Sequence, residues 1–129
     1  MTCEITAIQK KGYVHFIIKG ENTIENTLQC FQDIYKECVT HNYKNILIEE
    51  HLEGKRLGTM DIYDIGSKSA QAYFGFFKAI AYVDIYTTKE TISFIENLSV
   101  NRSLPLRAFD TMEKAETWLL NQVNGTISS

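Results

Sequence analysis

Ala79-Ile80-Ala81-Tyr82-Val83-Asp84-Ile85-Tyr86 decides the fold. The run is almost unbroken apolar, rich in β-branched and aromatic side chains, and free of Gly and Pro. A strand wetted on one side alternates apolar with polar. A near-continuous run suits a central strand covered on both faces, the condition of a parallel sheet. The sequence that follows agrees. Thr87 with Glu90 forms a capping-box pattern, and Ile92, Ile95 and Leu98 then share a helical face to about Asn101. Pro105 stands where the strand Leu106-Arg107-Ala108-Phe109 can begin. Asp110 with Glu113 caps a last helix over 111–123, whose Met112, Ala115, Leu119 and Val123 line one face, widened by Trp118.

The first half supplies the rest of the sheet. Residues 2–9 and 13–19 are β-branched and aromatic, and Lys10-Lys11-Gly12 between them is a turn of hairpin length. Over 23–41, Ile24, Leu28, Phe31, Tyr35 and Cys38 fall on one helical stripe that Ile34 and Val39 widen, and Asn22 with Glu25 marks its start. Residues 45–50 form a short apolar strand ending in charge, and 51–58 read as a loop. Thr59 is an expected N-cap, ahead of a helix to about Phe77 with Ile62, Gly66, Ala70, Tyr73 and Phe77 on one face. Gly66 inside that helix implies close packing or a kink. The expected order is ββαβαβαβα in one α/β domain, residues 1–129, with a mainly parallel mixed sheet and 124–129 a frayed tail.

Composition narrows the function classes. The 129 residues are 44% hydrophobic with a net charge of −3, enough to bury a core without disulfides or metal. Acidic residues (16) outnumber Lys and Arg (13), so the basic footprint of a nucleic-acid binder is missing. No apolar run is long enough to span a membrane, and Glu4 interrupts the N-terminal stretch, so no signal peptide is expected. Cys30 and Cys38, eight apart in one helix, are too far separated to bridge. Together with Cys3 they read as three reduced thiols of a cytoplasmic protein.

The last third resembles the SpoIIAA-like family. The resemblance rests on the buried strand Ala79–Asp84, on Arg107-Ala108-Phe109-Asp110, and on the helix Glu113-Lys114-Ala115-Glu116-Thr117-Trp118-Leu119. These residues mark a fold, and the element order agrees with it over roughly 2–123. The family is similar to STAS domains, such as bacterial anti-sigma-factor antagonists, and to CRAL-TRIO lipid-carrier domains. The resemblance implies a small, non-catalytic α/β domain for binding and regulation. Phosphoregulated STAS domains carry Asp-Ser-Gly at the start of the helix after the third strand. Here that stretch reads Arg56-Leu57-Gly58-Thr59-Met60-Asp61, with Thr59 in about the matching place.

Candidate sites are sparse. Thr59 at a helix N-terminus could carry a phosphate or meet an anion, or simply cap; Ser67 and Ser69 further along read as exposed serines. Glu49, Glu50 and His51 end the third strand and Asp84 lies near the end of the fourth, the edge where ligands settle in open α/β sheets. Carboxylates there could do acid–base work or hold a cation, or simply be solvated. Tyr73-Phe74-Gly75-Phe76-Phe77 cannot all face one core from one helix. They fit either core packing or a second apolar surface: a dimer interface, a ligand-pocket wall or the underside of a neighbouring loop. His15, His41 and His51 show no metal spacing, His15 being a sheet-face residue, and no nucleophile elbow or phosphate loop is present. No metal or cofactor is expected. The leading expectation is a regulatory or protein-interaction module, self-associating or binding a partner protein. The alternatives are a carrier of a small apolar ligand or lipid and, last, a small enzyme using the strand-end carboxylates.

Overall fold

The computed structural model describes residues 3–73 and 75–124. Its elements are β1 (Glu4–Lys10), β2 (Tyr13–Glu21), α1 (Ile24–His41), β3 (Asn45–Glu53), α2 (Thr59–Tyr73), β4 (Ala79–Asp84), α3 (Lys89–Asn101), β5 (Leu106–Phe109) and α4 (Met112–Val123). The expected α/β order is the observed one. The five strands lie in chain order, β1-β2-β3-β4-β5. β1 is antiparallel to β2, and each later pair is parallel. At the hairpin Gly12 has φ 92°, and a Cβ there would sit 2.5 Å from Val123 Cγ1 at the end of α4. The turn therefore needs glycine for both backbone and space.

Successive crossovers in one direction place α1, α2 and α3 together, α2 touching both neighbours. α4 follows the edge strand and folds back over β3, β4 and β5. The alternation of β3 and β4 sorts the core accordingly. Ile46, Ile48, Leu52 and Ile80 pack with Ile34 and Cys38 of α1. Leu47, Ala79, Ala81 and Val83 pack with Ala115 and Leu119 of α4. The continuous apolar run of β4 is explained: it is greasy on both sides because it is covered on both sides. Phe109 and Trp118, part of the sequence likeness, lie 5.8 Å apart between ring centroids and close one end of the α4 layer.

Element ends correct the sequence reading. Three helices begin one residue later than their capping patterns suggest. The caps are Thr23, Thr88 and Thr111, whose hydroxyls accept from the backbone N–H of Asn26, Thr91 and Lys114. In α2 the shift is the other way. Ile62 N–H donates to Gly58 O at 3.1 Å, so Gly58 takes the cap position and Thr59 is already helical. β3 runs on through His51-Leu52-Glu53, pairing with Lys19-Gly20-Glu21 of β2 and burying Leu52. β4 stops at Asp84, not Tyr86, because Asp84 Oδ1 accepts Tyr86 N–H at 2.9 Å and Asp84 O accepts Thr87 N–H. α2 ends at Tyr73 rather than Phe77, and Gly75 follows with φ 79°.

The buried stripe of α1 is rotated from the expected one. Thr27, Cys30, Ile34, Tyr35 and Cys38 face the sheet, while Ile24 is 44% and Val39 50% exposed. Small Thr and Cys side chains fit under the helix where it lies close to β2. The expectation of three reduced thiols is also corrected. Edge strand β1 begins beneath α1, and Cys3 is disulfide-bonded to Cys30 with Cα atoms 6.2 Å apart. Cys38 is free and buried. Among the described residues no helix is long and apolar enough to cross a membrane.

Candidate functional site

Glu49 and Glu50 are adjacent in β3 and so point to opposite faces of the sheet. The structure separates these two expected site partners. Glu49 lies on the α4 side, where its carboxylate takes His15 Nε2 at 2.7 Å and also His51 Nε2. Burial raises the Glu49 pKa, but hydrogen bonds and charge from His51 and His15 outweigh that and hold it below the usual carboxylate range. Among the described residues, no group of His, Cys, Asp and Glu has the arrangement to hold a metal ion.

Glu50 faces the other way, under α1, α2 and α3, and there it meets Asp84. The parallel register sets Glu50 opposite Asp84 and Ile48 opposite Tyr82, so all four side chains share one face. Glu50 and Asp84 are both buried. Arg56, from the loop between β3 and α2, lies across them: Nη1 is 3.1 Å from Glu50 Oε2 and 2.9 Å from Asp84 Oδ2. Its Nη2 donates to Leu52 O. Tyr82 donates its hydroxyl to Glu50 Oε1. Tyr86 lies alongside the guanidinium, 5.3 Å from its ring centre. Burial, joined by the charge of Asp84, pushes the Glu50 carboxyl up to about 7 against the opposing pull of Tyr82 and Arg56. Burial and the Glu50 charge raise the Tyr82 phenol well above its ordinary value.

This polar cluster closes one end of a cavity of about 170 Å³ between α1, α2, α3 and the sheet. The walls are apolar, with Phe31 from α1, Ile48 from β3, Ile62 and Ile65 from α2, and Ile95 and Leu98 from α3. Gly66 belongs to the same wall; a Cβ on it would lie 2.7 Å from Leu98 Cδ2, so this glycine lets α2 and α3 approach. Ser69, expected to be exposed, is buried and lines the cavity. The location at the carboxyl end of β4 is where open α/β sheets hold ligands.

The remaining expected residues lie elsewhere. Thr59 is exposed at the start of α2. Phe77 is buried against Tyr35, with ring centroids 5.4 Å apart. Phe76 packs edge-on against Phe77 and lies under Lys44 Nζ, 3.9 Å from the ring centre. Phe74 and the Tyr73 side chain, named with them, lie outside the described residues, as does the expected frayed tail beyond Asn124. The sequence reading did not single out Arg56, Tyr82 or Ser69 as cavity residues. The signal for Tyr82 was its place two residues before Asp84 in a strand, which puts both on one face. Nothing local marked Arg56, which follows Lys55 in a Gly-containing loop.

The architecture has a counterpart among solved structures. An uncharacterised protein of the DUF3478 family from Shewanella loihica PV-4, described as having a SpoIIAA-like fold, superposes with a TM-score of 0.55. The match covers 92% of this chain and 93% of that one, at 17% identity. The fold is SpoIIAA-like. At that identity the likeness concerns the SpoIIAA-like architecture alone. No family model matches the sequence, and no curated protein is significantly similar to it.

Proposed function

We propose that the chain is a non-catalytic binding domain whose ligand is a small molecule with an apolar body, held between α1, α2, α3 and the sheet. The observation that carries this reading is the cavity of about 170 Å³ with apolar walls and a polar cluster at one end. The space opens to solvent, so a small molecule can enter it without the fold opening. An apolar cavity of roughly 150 Å³ accepts a benzene-sized ring. The size favours a ring or a short branched chain over a long lipid tail. Both Glu50 oxygens already accept from protein donors, Tyr82 and Arg56.

The experiment is calorimetry with a neutral aromatic such as propylbenzene, alongside native mass spectrometry of the purified protein. Saturable one-to-one binding is expected. Heats no larger than dilution up to the solubility limit, with no retained small molecule, would remove the reading.

A regulatory role through a partner protein or a second copy is the other reading, and a separate surface favours it. Met60, 73% exposed, and Tyr63 project from the first turns of α2 beside Thr59. Light scattering across a concentration series tests self-association. A dimer that Met60→Asp dissociates supports that form, and a monomer at every concentration rejects it.

A further inference from the structure

The cavity's charge count bears on what its occupant carries. Glu50, Asp84 and Arg56 are its charged lining side chains among the described residues. Two carboxylates thus share a single guanidinium, which leaves one negative charge without a partner when both acids are ionised. Each carboxylate oxygen in the cluster accepts one hydrogen bond from Tyr82, Arg56 or the Tyr86 N–H, leaving acceptor capacity on each. The rest of the lining is set by other residues: Ile48, Ile62, Ile65 and Ile95 give the cavity an apolar wall, and buried Ser69 adds a hydroxyl to it.

We propose that the cavity recognises an apolar amine, its ring or branched chain against the isoleucine wall and its ammonium group against Glu50 and Asp84. A carboxylate-bearing ligand fits less well, because it would add a third anion to a site with one guanidinium. This inference rests on the reading of the cavity as a ligand site and deepens it. The groups that face Glu50 are Tyr82 and Asp84 from β4, Arg56 from the β3–α2 loop and Tyr86 from the β4–α3 turn, while α1 adds the phenol of Tyr35 to the cavity wall. The Glu50 carboxyl lies at about 7 without ligand, so an ammonium group binds with release of its proton. Affinity for an amine rises as pH climbs toward and past that value, and affinity for an acid falls.

Calorimetry at pH 8 with 2-phenylethylamine, propylbenzene and 3-phenylpropanoate tests the proposal on the full chain. The amine is expected to bind roughly tenfold or more tightly than its neutral isostere, the scale of one charge-assisted hydrogen bond. The acid is expected to bind weakest. Glu50→Gln should abolish the amine's advantage over propylbenzene. Asp84→Asn provides the same readout should Glu50→Gln fail to fold. Propylbenzene binding as tightly as the amine would overturn the ammonium assignment and leave the cavity reading standing. Binding of none of the three would overturn both.

Discussion

A Cβ placed on Gly66 of α2 would lie 2.7 Å from Cδ2 of Leu98 on α3. Leu98 is buried, but the atom in the way is the end of a flexible side chain with the cavity beside it. Gly66→Ala therefore moves Leu98 into that space. The helix gains roughly 1 kcal/mol of propensity, which offsets the displacement. The expected result is a melting temperature close to the native one together with clearly weaker propylbenzene binding, read by thermal unfolding and calorimetry. A large loss of stability would mean that Leu98 has nowhere to go.

The Glu50 carboxyl has its own signature in stability against pH. Its folded pKa is raised from 4.5 to about 7, so the folded state holds a proton that the unfolded chain releases. That contribution is fully present below about 4.5 and is lost as pH rises through about 7. Its size is on the order of 3 kcal/mol at roughly 1.4 kcal/mol per unit. Glu49 acts in a different window. Its lowered pKa supplies stability above the unfolded value that is lost as pH falls through the folded one. Denaturant unfolding of the native chain should show stability declining between pH 5 and pH 7, and Glu50→Gln should flatten that decline. An unchanged slope in the variant would assign the titration to another group.

How much of this was legible in the sequence is clearest in β3. The segment reads as ending at Glu50, where the apolar run gives way to charge, yet Ile46, Ile48, Glu50 and Leu52 continue the two-residue period along one buried face. A buried carboxylate disguised the alternation, and that carboxylate is the centre of the cavity cluster. Local rules give way at such sites. β4 was legible because both of its faces are apolar. The cluster was not, because Arg56, Glu50 and Asp84 come together only through parallel register and a loop that folds back over it. The cap positions were missed by one residue for a simpler reason. Asn22-Thr23, Thr87-Thr88 and Asp110-Thr111 each offer two capping side chains in succession, and the backbone at the second decides between them.

Those caps carry a stability contrast. Thr23 Oγ1 accepts from Asn26 N–H at 3.0 Å, whereas Thr59 is already inside α2. Thr23→Ala should cost about 1 kcal/mol. Thr59→Ala should stay within roughly 0.5 kcal/mol of the native chain. Urea unfolding of both variants checks the pair, and equal losses would restore Thr59 as a cap.

Cysteine counting checks the link between β1 and α1. Cys3 is joined to Cys30, 27 residues apart in sequence, and burial pushes the Cys38 thiol up to about 12. The folded protein should therefore react slowly with a thiol reagent, unfolded unreduced protein should show a single thiol, and reduction should expose all of them. Loss of the bond by Cys3→Ser should cost about 3.5 kcal/mol on the chain-entropy model. Full thiol reactivity in unfolded, unreduced protein would show that Cys3 and Cys30 are not joined.

The most direct test of the cavity as a ligand site is nuclear magnetic resonance of protein labelled at isoleucine methyls, titrated with propylbenzene. Ile48, Ile62, Ile65 and Ile95 line the cavity, whereas Ile8 on edge strand β1 does not. The account predicts saturable shifts at the four cavity methyls with Ile8 unmoved. Unchanged cavity methyls at the highest soluble concentration, or a shift confined to Ile8, would contradict it.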